Sequence, residues 1–593
     1  MADFNSFQES FSSFILSASG FRKIFAAEYG KTAQEDSASV DITAEDATAS
    51  AIIADVFGSI VKKRNPDSSV MTIAVGMDAR PTGPAIASVM VSSFEALGFE
   101  VRYSGITAAP ELMAWVKTSA DIDAFAYISA SHNPLGHNGF KFGFSDGAVL
   151  GGRDSRDFIS AIIAAVIDED MHAKYAELLS GEKKPDTSAL PDPSADKAEA
   201  EVAYRFFSNM VISASGSKDE QDVILGKIKA AAAGIGIIAE LNGSARGVSI
   251  DQDYFESFGF KSRFLNDNPG KVVHAIVPEG ASLNLCREEL EKANAEDNDF
   301  IMGYVPDNDG DRGNIVYINE RTHCAEILEA QEVFALCVKS ELSFMQQTNP
   351  GAKLAVAVNG PTSMRIERIA KAFGAEVFRA EVGEANVVNL AAEKRSEGFE
   401  VRILGEGSNG GNITHPATVR DPLNTIFALV KLQIFGGYSS LTEAVESLPD
   451  FSTTSAYESE AKMQIGSISH AELKANYEKI FPASFEKRKV ELEADFGITG
   501  WYEINYEGTS ARKGVGPAFR SGKETGGLKI MLTGPVQNED GTEAIVDKAY
   551  LWMRGSGTEP VFRVMTDIES SNSEAMHRLL NWQRALVAMA AGI

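Results

Sequence analysis

The sequence predicts an α/β protein of several domains whose last domain is of a different class. Three observations predict it. Short apolar strands alternate with helical stretches from about residue 70 to about residue 430, the pattern of parallel sheets covered by helices. Several of these strands run into loops rich in Gly, Ser, Asp or Asn, and open α/β sheets bind ligands at the carboxyl ends of their strands. From about residue 456 the pattern changes to a few strands with flanking helices, which reads as α+β.

The chain has 593 residues, about four domains at roughly 150 residues each. Hydrophobic residues make up 44%, enough for each domain to bury a core. With 55 basic and 83 acidic residues the net charge is −28. Such a surface repels phosphate backbones, which argues against nucleic-acid binding. It also repels small anions, so an anionic substrate needs a local positive site built from particular Arg and Lys residues. Cys286, Cys324 and Cys337 form no CxxC motif, which suggests a reducing compartment and no zinc site. The start, Met-Ala-Asp-Phe-Asn-Ser, lacks a signal-peptide pattern. The longest apolar stretch, Ala230 to Leu241, is too short to span a bilayer. The expectation is a cytoplasmic protein with no membrane partner.

Taken in order, the first domain is expected over 1–215. Val70–Val75 reads as a strand, Ala85–Leu97 as a helix, Phe99–Tyr103 as a strand and Pro110–Lys117 as a helix. The apolar run Ala124–Ile128 is the next strand, and Ser129-Ala130-Ser131-His132-Asn133-Pro134 turns out of it. Residues 180–200 are polar and proline-bearing, as in a surface insertion or linker. The second domain is expected over 216–324, with strands Gly234–Leu241 and Phe300–Val305. The third is expected over 325–455, with strands Lys353–Val358, Glu376–Phe378 and Glu400–Leu404. Within it Thr362–Phe373 spaces Met364, Ile366, Ile369 and Phe373 for one helical side. A composition shift at 449–454 marks a junction and a candidate hinge before the α+β domain, 456–593.

Four stretches carry chemistry. Ser131 sits where a buried strand becomes a loop, and Lys141 follows ten residues on; the same letters also suit a plain strand-to-loop corner. In Pro306-Asp307-Asn308-Asp309-Gly310-Asp311-Arg312 three carboxylates alternate directly after a strand. Hard oxygen ligands so spaced suit Mg²⁺. Arg312 stands where a calcium hand needs Gly, and Ile318 where it needs Glu, which argues against that reading. In Gly405-Glu406-Gly407-Ser408-Asn409-Gly410-Gly411-Asn412 a carboxylate and a hydroxyl on a glycine-rich loop suit vicinal sugar hydroxyls. Arg554-Gly555-Ser556-Gly557-Thr558-Glu559-Pro560, with Arg563 beyond, supplies amides, hydroxyls and guanidiniums for a phosphate dianion. A further basic stretch, Gly508 to Gly516, reads as a solvated loop. His137, His274 and His415 carry no pairing signal.

Together these stretches resemble the α-D-phosphohexomutases, the family of phosphoglucomutase and phosphomannomutase. Ser129-Ala130-Ser131-His132-Asn133-Pro134 resembles the family's phosphoserine loop, with Ser131 phosphorylated. Asp307, Asp309, Asp311 and Arg312 match its magnesium loop, Glu406 and Ser408 its sugar loop, and Arg554, Ser556, Gly557, Thr558 and Arg563 its phosphate loop. Ser19-Gly20-Phe21-Arg22 is similar to the early active-site turn, and Glu381-Val382-Gly383-Glu384 to the Val-Gly loop. The chain departs from the pattern in four places, one of them an N-terminal domain expanded after residue 150. Met77 precedes Asp78, so only Asp78 and Arg80 carry over from the early loop. The sugar loop lacks its histidine. Glu384-Ala385 stand where several glucose-preferring members have a lysine.

The resemblance implies four domains around a central cleft, three of them similar mixed α/β domains and the fourth a C-terminal lid. It implies a phosphohexomutase that interconverts hexose 1- and 6-phosphates of glucose and/or mannose, through a phosphoserine and a bisphosphorylated sugar. Catalysis falls to Ser131, Lys141 as the base and Arg22. Mg²⁺ is held by the Ser131 phosphate and the three aspartates, and a hexose 1,6-bisphosphate is the activator. His132, Arg312, Glu406, Ser408 and the phosphate-loop residues bind substrate. The expected state is a monomer or homodimer. The rival readings are a phosphoglucosamine mutase of the same family, a phosphosugar phosphatase and a non-catalytic phosphosugar-binding protein.

Overall fold

A computed structural model describes residues 4–17, 20–25, 39–68, 70–178, 185–407, 410–520, 526–537, 541–555 and 561–593. Ser19, Ser408, Ser556, Gly557 and Thr558 lie outside the described residues. The chain forms two compact units, one of residues 1–329 and 413–434, the other of residues 330–412 and 435–593. Among the described residues no helix is long and apolar enough to cross a membrane.

One strand pattern occurs three times. In the first sheet the fully buried strand Thr72–Met77 lies parallel to Glu100–Ile106 on one side and Ala124–Ile128 on the other. In the second, Gly236–Glu240 lies between its parallel neighbours Lys261–Leu265 and Phe300–Pro306. In the third, Leu354–Asn359 lies between Glu376–Ala380 and Glu400–Gly405. The central strands read as unbroken apolar runs because both faces are covered. In each sheet a fourth strand sits beside the third: His137–Phe144, Gly313–Asn319 and Asn412–Thr414. The mixed α/β class with three similar sheets is therefore the observed architecture. The second sheet also carries a hairpin strand absent from the sequence reading, since Gly313–Asn319 folds back antiparallel on Phe300–Pro306.

The first sheet is lengthened by Gly20–Ile24, which pairs antiparallel with His137–Phe144, Arg22 facing Gly139. A Cβ on Gly139 would lie 1.8 Å from the Phe21 carbonyl oxygen, so this close pairing requires glycine. The core between sheet and helices is dense in phenylalanine: Phe142 packs against Phe57, Phe140 and Phe158, and Phe57 against Phe158.

Part of the segment read as an insertion or linker is a helix, Ser194–Ser213. Its Asp196 and Glu199 pair with Arg102, and Tyr204 is buried. Apolar positions every three to four residues (Ala200, Tyr204, Phe207, Val211) explain it; the prolines stand only ahead of its start. His274 also has a partner: its Nε2 lies 2.6 Å from Glu240 Oε2.

The fourth sheet, in the second unit, is antiparallel, with strands Gly500–Glu507, Leu528–Gln537, Glu543–Gly555 and Phe562–Ile568 at its centre. Helices His470–Phe496 and Ser573–Ala591 cover one face through Leu473, Tyr477, Phe481, Trp582 and Leu586. The other face packs Tyr550, Trp552 and Met565 against Met364. The junction expected to hinge is pinned: Ser452–Thr453 is a strand paired with Phe562–Ile568, and Thr454 N donates to Thr566 O at 2.9 Å. The stretch Gly508–Gly516 is not a plain loop. Ser510–Lys513 is an edge strand turned back on Gly500–Glu507 through Gly508, whose φ is +56°.

Candidate active site

The serine loop is the connection from Ala124–Ile128 to His137–Phe144, and the acidic loop is the connection from Phe300–Pro306 to Gly313–Asn319. They occupy equivalent places in two similar sheets, and the first unit brings them together. Ser131, 1% exposed, takes the left-handed backbone region with φ +53°. Its amide donates to Ser129 Oγ at 2.8 Å and its Oγ donates to Asp307 Oδ2 at 2.7 Å. Ser129 Oγ in turn donates to Asp309 Oδ2 at 3.1 Å.

The loop is held from behind by Arg80. This buried guanidinium donates to the carbonyl oxygens of Ser131 at 2.7 Å, Asn133 at 2.6 Å and His137 at 2.9 Å, and to that of Pro134. Asp78 fixes it through Nε at 3.1 Å. Asp78 and Arg80 follow the strand Thr72–Met77, whose parallel neighbour Ala124–Ile128 leads into the serine loop, so the pairing places them under that loop.

Asp307, Asp309 and Asp311 are all buried, and one oxygen from each falls within 4.8 Å of the others. Asp309 Oδ1 is buried and accepts no hydrogen bond among the described residues. Three hard donors with an oxygen left over fit a divalent cation. Lys141 Nζ donates to Asp309 Oδ2 at 2.7 Å and to Asp311 Oδ2 at 2.8 Å. Its register opposite Tyr127 puts it on the strand that leaves the serine loop. Burial, then Asp309 and Asp311, push the Asp307 carboxyl well above the usual range. Burial opposes ionisation of Asp311 as well, but Arg420, Lys141 and Arg312 outweigh it and hold that carboxyl well below the usual range.

Arg22 is buried at this cluster, and burial with the charge of Arg312 lowers it to about 10. Arg312 Nη1 and His132 Nδ1 lie 2.8 Å apart, and His132 Nδ1 is 3.5 Å from Ser131 Oγ. Burial, then Arg312, Arg22 and Arg420, push the imidazole well below its ordinary value, so His132 stays neutral here.

The second unit holds the remaining predicted residues. Glu406 follows the third parallel strand, as Ser129 and Asp307 do in their sheets. Its Oε1 accepts from Asn359 Nδ2 at 3.0 Å and Gly383 N at 2.7 Å, so the Val-Gly loop orients it. Arg554 and Arg563 are cross-strand partners at the base of the predicted phosphate loop. Like charges directly opposite one another are unfavourable; Glu381 offsets this, with Oε1 3.0 Å from Arg554 Nε. Arg563 Nη1 donates to Ala456 O.

Arg420 is the residue of this cluster that sequence reasoning missed. Its Nη2 lies 3.3 Å from both oxygens of Asp311. The one available signal, Asp421-Pro422, marks a helix start and says nothing of the residue before it.

Family models match two parts of the chain: "Phosphoglucomutase/phosphomannomutase, alpha/beta/alpha domain I" over residues 36–170 and the corresponding domain III over residues 329–451. A Methanopyrus kandleri protein named probable phosphoglucosamine mutase is 27% identical over 444 residues, 74% of this chain and 84% of its own. The phosphoglucomutase/phosphomannomutase of Thermococcus kodakarensis is 24% identical over 517 residues, 87% of this chain and 89% of its own. Among solved structures, a phosphoglucomutase/phosphomannomutase family protein from Burkholderia thailandensis superposes with a TM-score of 0.60 at 16% identity, over 97% of each chain. Parafusin, a phosphoglucomutase from Paramecium, gives 0.60 at 13% identity, over 96% of this chain and 97% of its own. These two likenesses show the fold. With the matched domains and the relatives in agreement, the chain carries domains I and III of the α-D-phosphohexomutases, the phosphoglucomutase/phosphomannomutase family of intramolecular phosphotransferases.

Proposed function

We propose that the protein interconverts hexose 1-phosphate and hexose 6-phosphate, of glucose and/or mannose, through a phosphoserine at Ser131 and a bisphosphorylated sugar. The observation that carries the reading is the contact of Ser131 Oγ with Asp307 at 2.7 Å inside a buried cluster of three carboxylates. A serine so placed can carry a phosphoryl group beside a cation site. Mg²⁺ held by Asp307, Asp309 and Asp311 would neutralise charge on the phosphoryl group in transfer. Arg22 and Arg312 add fixed positive charge to a chain of net charge −28. Lys141, 2.7 Å from Asp309, is the residue that takes the proton of the attacking sugar hydroxyl. Glu406 and Ser408 would read the sugar hydroxyls, and Arg554, Ser556, Gly557, Thr558 and Arg563 would grip the phosphate that is not transferred.

Intact mass and peptide mapping test the reading, before and after incubation with Mg²⁺ and glucose 1-phosphate. The expected result is phosphate on the Ser131 peptide and formation of glucose 6-phosphate without free phosphate. Mannose and glucosamine phosphates follow; turnover of glucosamine phosphate alone would select the phosphoglucosamine mutase. Release of phosphate without isomerisation would select a phosphatase. An unmodified Ser131 after treatment with hexose 1,6-bisphosphate, with no isomerisation of any of these sugars, sinks the catalytic reading.

A further inference from the structure

We propose that Arg420 is a further catalytic residue, contacting the phosphoryl group during its transfer; this rests on the function proposed above. Three observations carry it. The first is placement. Val419 is buried in an apolar cluster with Trp115, Phe125 and Tyr127. Asp421 is buried and accepts from Tyr204 Oη at 2.7 Å and from Arg246 Nη1 at 3.3 Å. Asp421 also accepts from the Leu423 amide at 2.9 Å, which caps the helix Pro422–Phe435. The backbone on either side of Arg420 is therefore anchored, and Arg246 Nη1 ties that anchor to the acidic loop by donating to Gly310 O at 3.2 Å.

The second is the form of the contact with Asp311. A single nitrogen lies 3.3 Å from both carboxylate oxygens, long for a charge-assisted bond. Buried arginine–carboxylate pairs elsewhere in the chain run from 2.8 Å, for Arg246 to Asp251 and Arg402 to Glu341, to 3.3 Å, for Arg246 to Asp421. Arg420 meets the acidic loop through this one nitrogen, at the long end of that range.

The third is charge. Arg22, Arg312 and Arg420 are all buried around Ser131 and three aspartates. Three guanidiniums therefore set fixed positive charge beside Ser131, as a site for a phosphoryl dianion requires. A planar guanidinium suits the equatorial oxygens of that group. In the step itself the bond from phosphorus to Ser131 Oγ breaks and a bond to the sugar oxygen forms. The sugar hydroxyl proton passes by way of Lys141 to Ser131 Oγ. Arg420 exchanges no proton and lends charge only.

The test uses full-length Arg420→Gln and Arg420→Lys. It measures kcat and KM at saturating Mg²⁺, and Mn²⁺ binding to the free enzyme by electron paramagnetic resonance. The expected result is a kcat lowered ~10²- to 10³-fold in Arg420→Gln, with about tenfold recovered in Arg420→Lys. Mn²⁺ affinity should be unchanged or tighter, because a cation facing Asp311 has gone. If Arg420 instead only tethers Asp311, Mn²⁺ affinity falls and kcat recovers at saturating metal, which overturns the proposal. An active wild-type enzyme with Arg420→Gln within threefold of it overturns the proposal alone. A wild-type chain that neither carries phosphate nor isomerises a sugar overturns the underlying function, and this inference with it.

Discussion

Replacing Arg80 by lysine should loosen the serine loop without touching sugar recognition. Arg80 supplies donors to five acceptors: Asp78 Oδ2 and the carbonyls of Ser131, Asn133, Pro134 and His137. A lysine offers about three donors from one point, so at least two of these acceptors lose theirs. Each stranded buried acceptor costs ~1–3 kcal/mol. The loop can relax towards solvent, so the lower sum, ~2 kcal/mol, applies. That sum corresponds to a roughly 30-fold shift in local opening. Hydrogen exchange reads it at the amides of Ser131, Asn133 and His137, which bond within the loop. The left-handed conformation of Ser131, φ +53°, is held partly by the Arg80 bond to its carbonyl, so its hydroxyl should lose its alignment with Asp307. We expect kcat to fall at least ~10-fold with the sugar-phosphate KM within about twofold of wild type. Exchange within about threefold of wild type, together with an unchanged kcat, would refute the claim that Arg80 holds the loop.

Three further outcomes are expected. Burial, with Glu478 beside it, pushes the Glu503 carboxyl up to about 8. The folded chain therefore keeps a proton that the unfolded chain loses above about 4.3, and this group's contribution to stability falls as pH rises between those values, by at most ~1.4 kcal/mol per unit. Glu503→Gln should flatten that dependence in thermal unfolding from pH 5 to 8.5; curves that stay parallel to wild type would contradict it. Mg²⁺ at a hundred times its dissociation constant should stabilise the fold by ~2.7 kcal/mol, and Asp309→Asn should erase that gain; an equal Mg²⁺-dependent rise in Tm in the variant would rule out the aspartate triad as the cation site. Arg554→Gln should raise the sugar-phosphate KM ~10- to 100-fold through loss of a charged hydrogen bond, and a KM within twofold would remove Arg554 from phosphate binding.

Local chemistry made much of this protein legible from its letters. Unbroken apolar runs of five residues, Ala124 to Ile128 and Leu354 to Val358, are too short for typical helices and suit strands buried on both faces. Asp307, Asp309 and Asp311 stand out as candidate ligands of a hard cation by spacing alone, because neighbours along a loop remain neighbours in space. The final domain's change of class was readable because its helices run long and its strands follow one another without intervening crossovers. By contrast, the helix beginning at Ser194 was hidden by the prolines ahead of it, and the hairpin strand Gly313–Asn319 by the charged loop that precedes it.

The sequence by itself determined which residues have the chemistry: a serine on a turn, three carboxylates, and arginines beside glycine loops. Tertiary structure alone decided which of them meet. Ser131 and Asp307 are 176 positions apart in the chain, yet lie at hydrogen-bond distance, because each loop leaves the third parallel strand of a similarly ordered sheet. Strand order is set by non-local pairing, which no local pattern encodes. The same holds for Arg80, whose four carbonyl partners are more than 50 residues away. It holds for Arg420, which reaches Asp311 only because Val419 and Asp421 are buried among residues from distant segments. Charge and hydrogen-bonding capacity are properties of a residue, whereas proximity is a property of the fold.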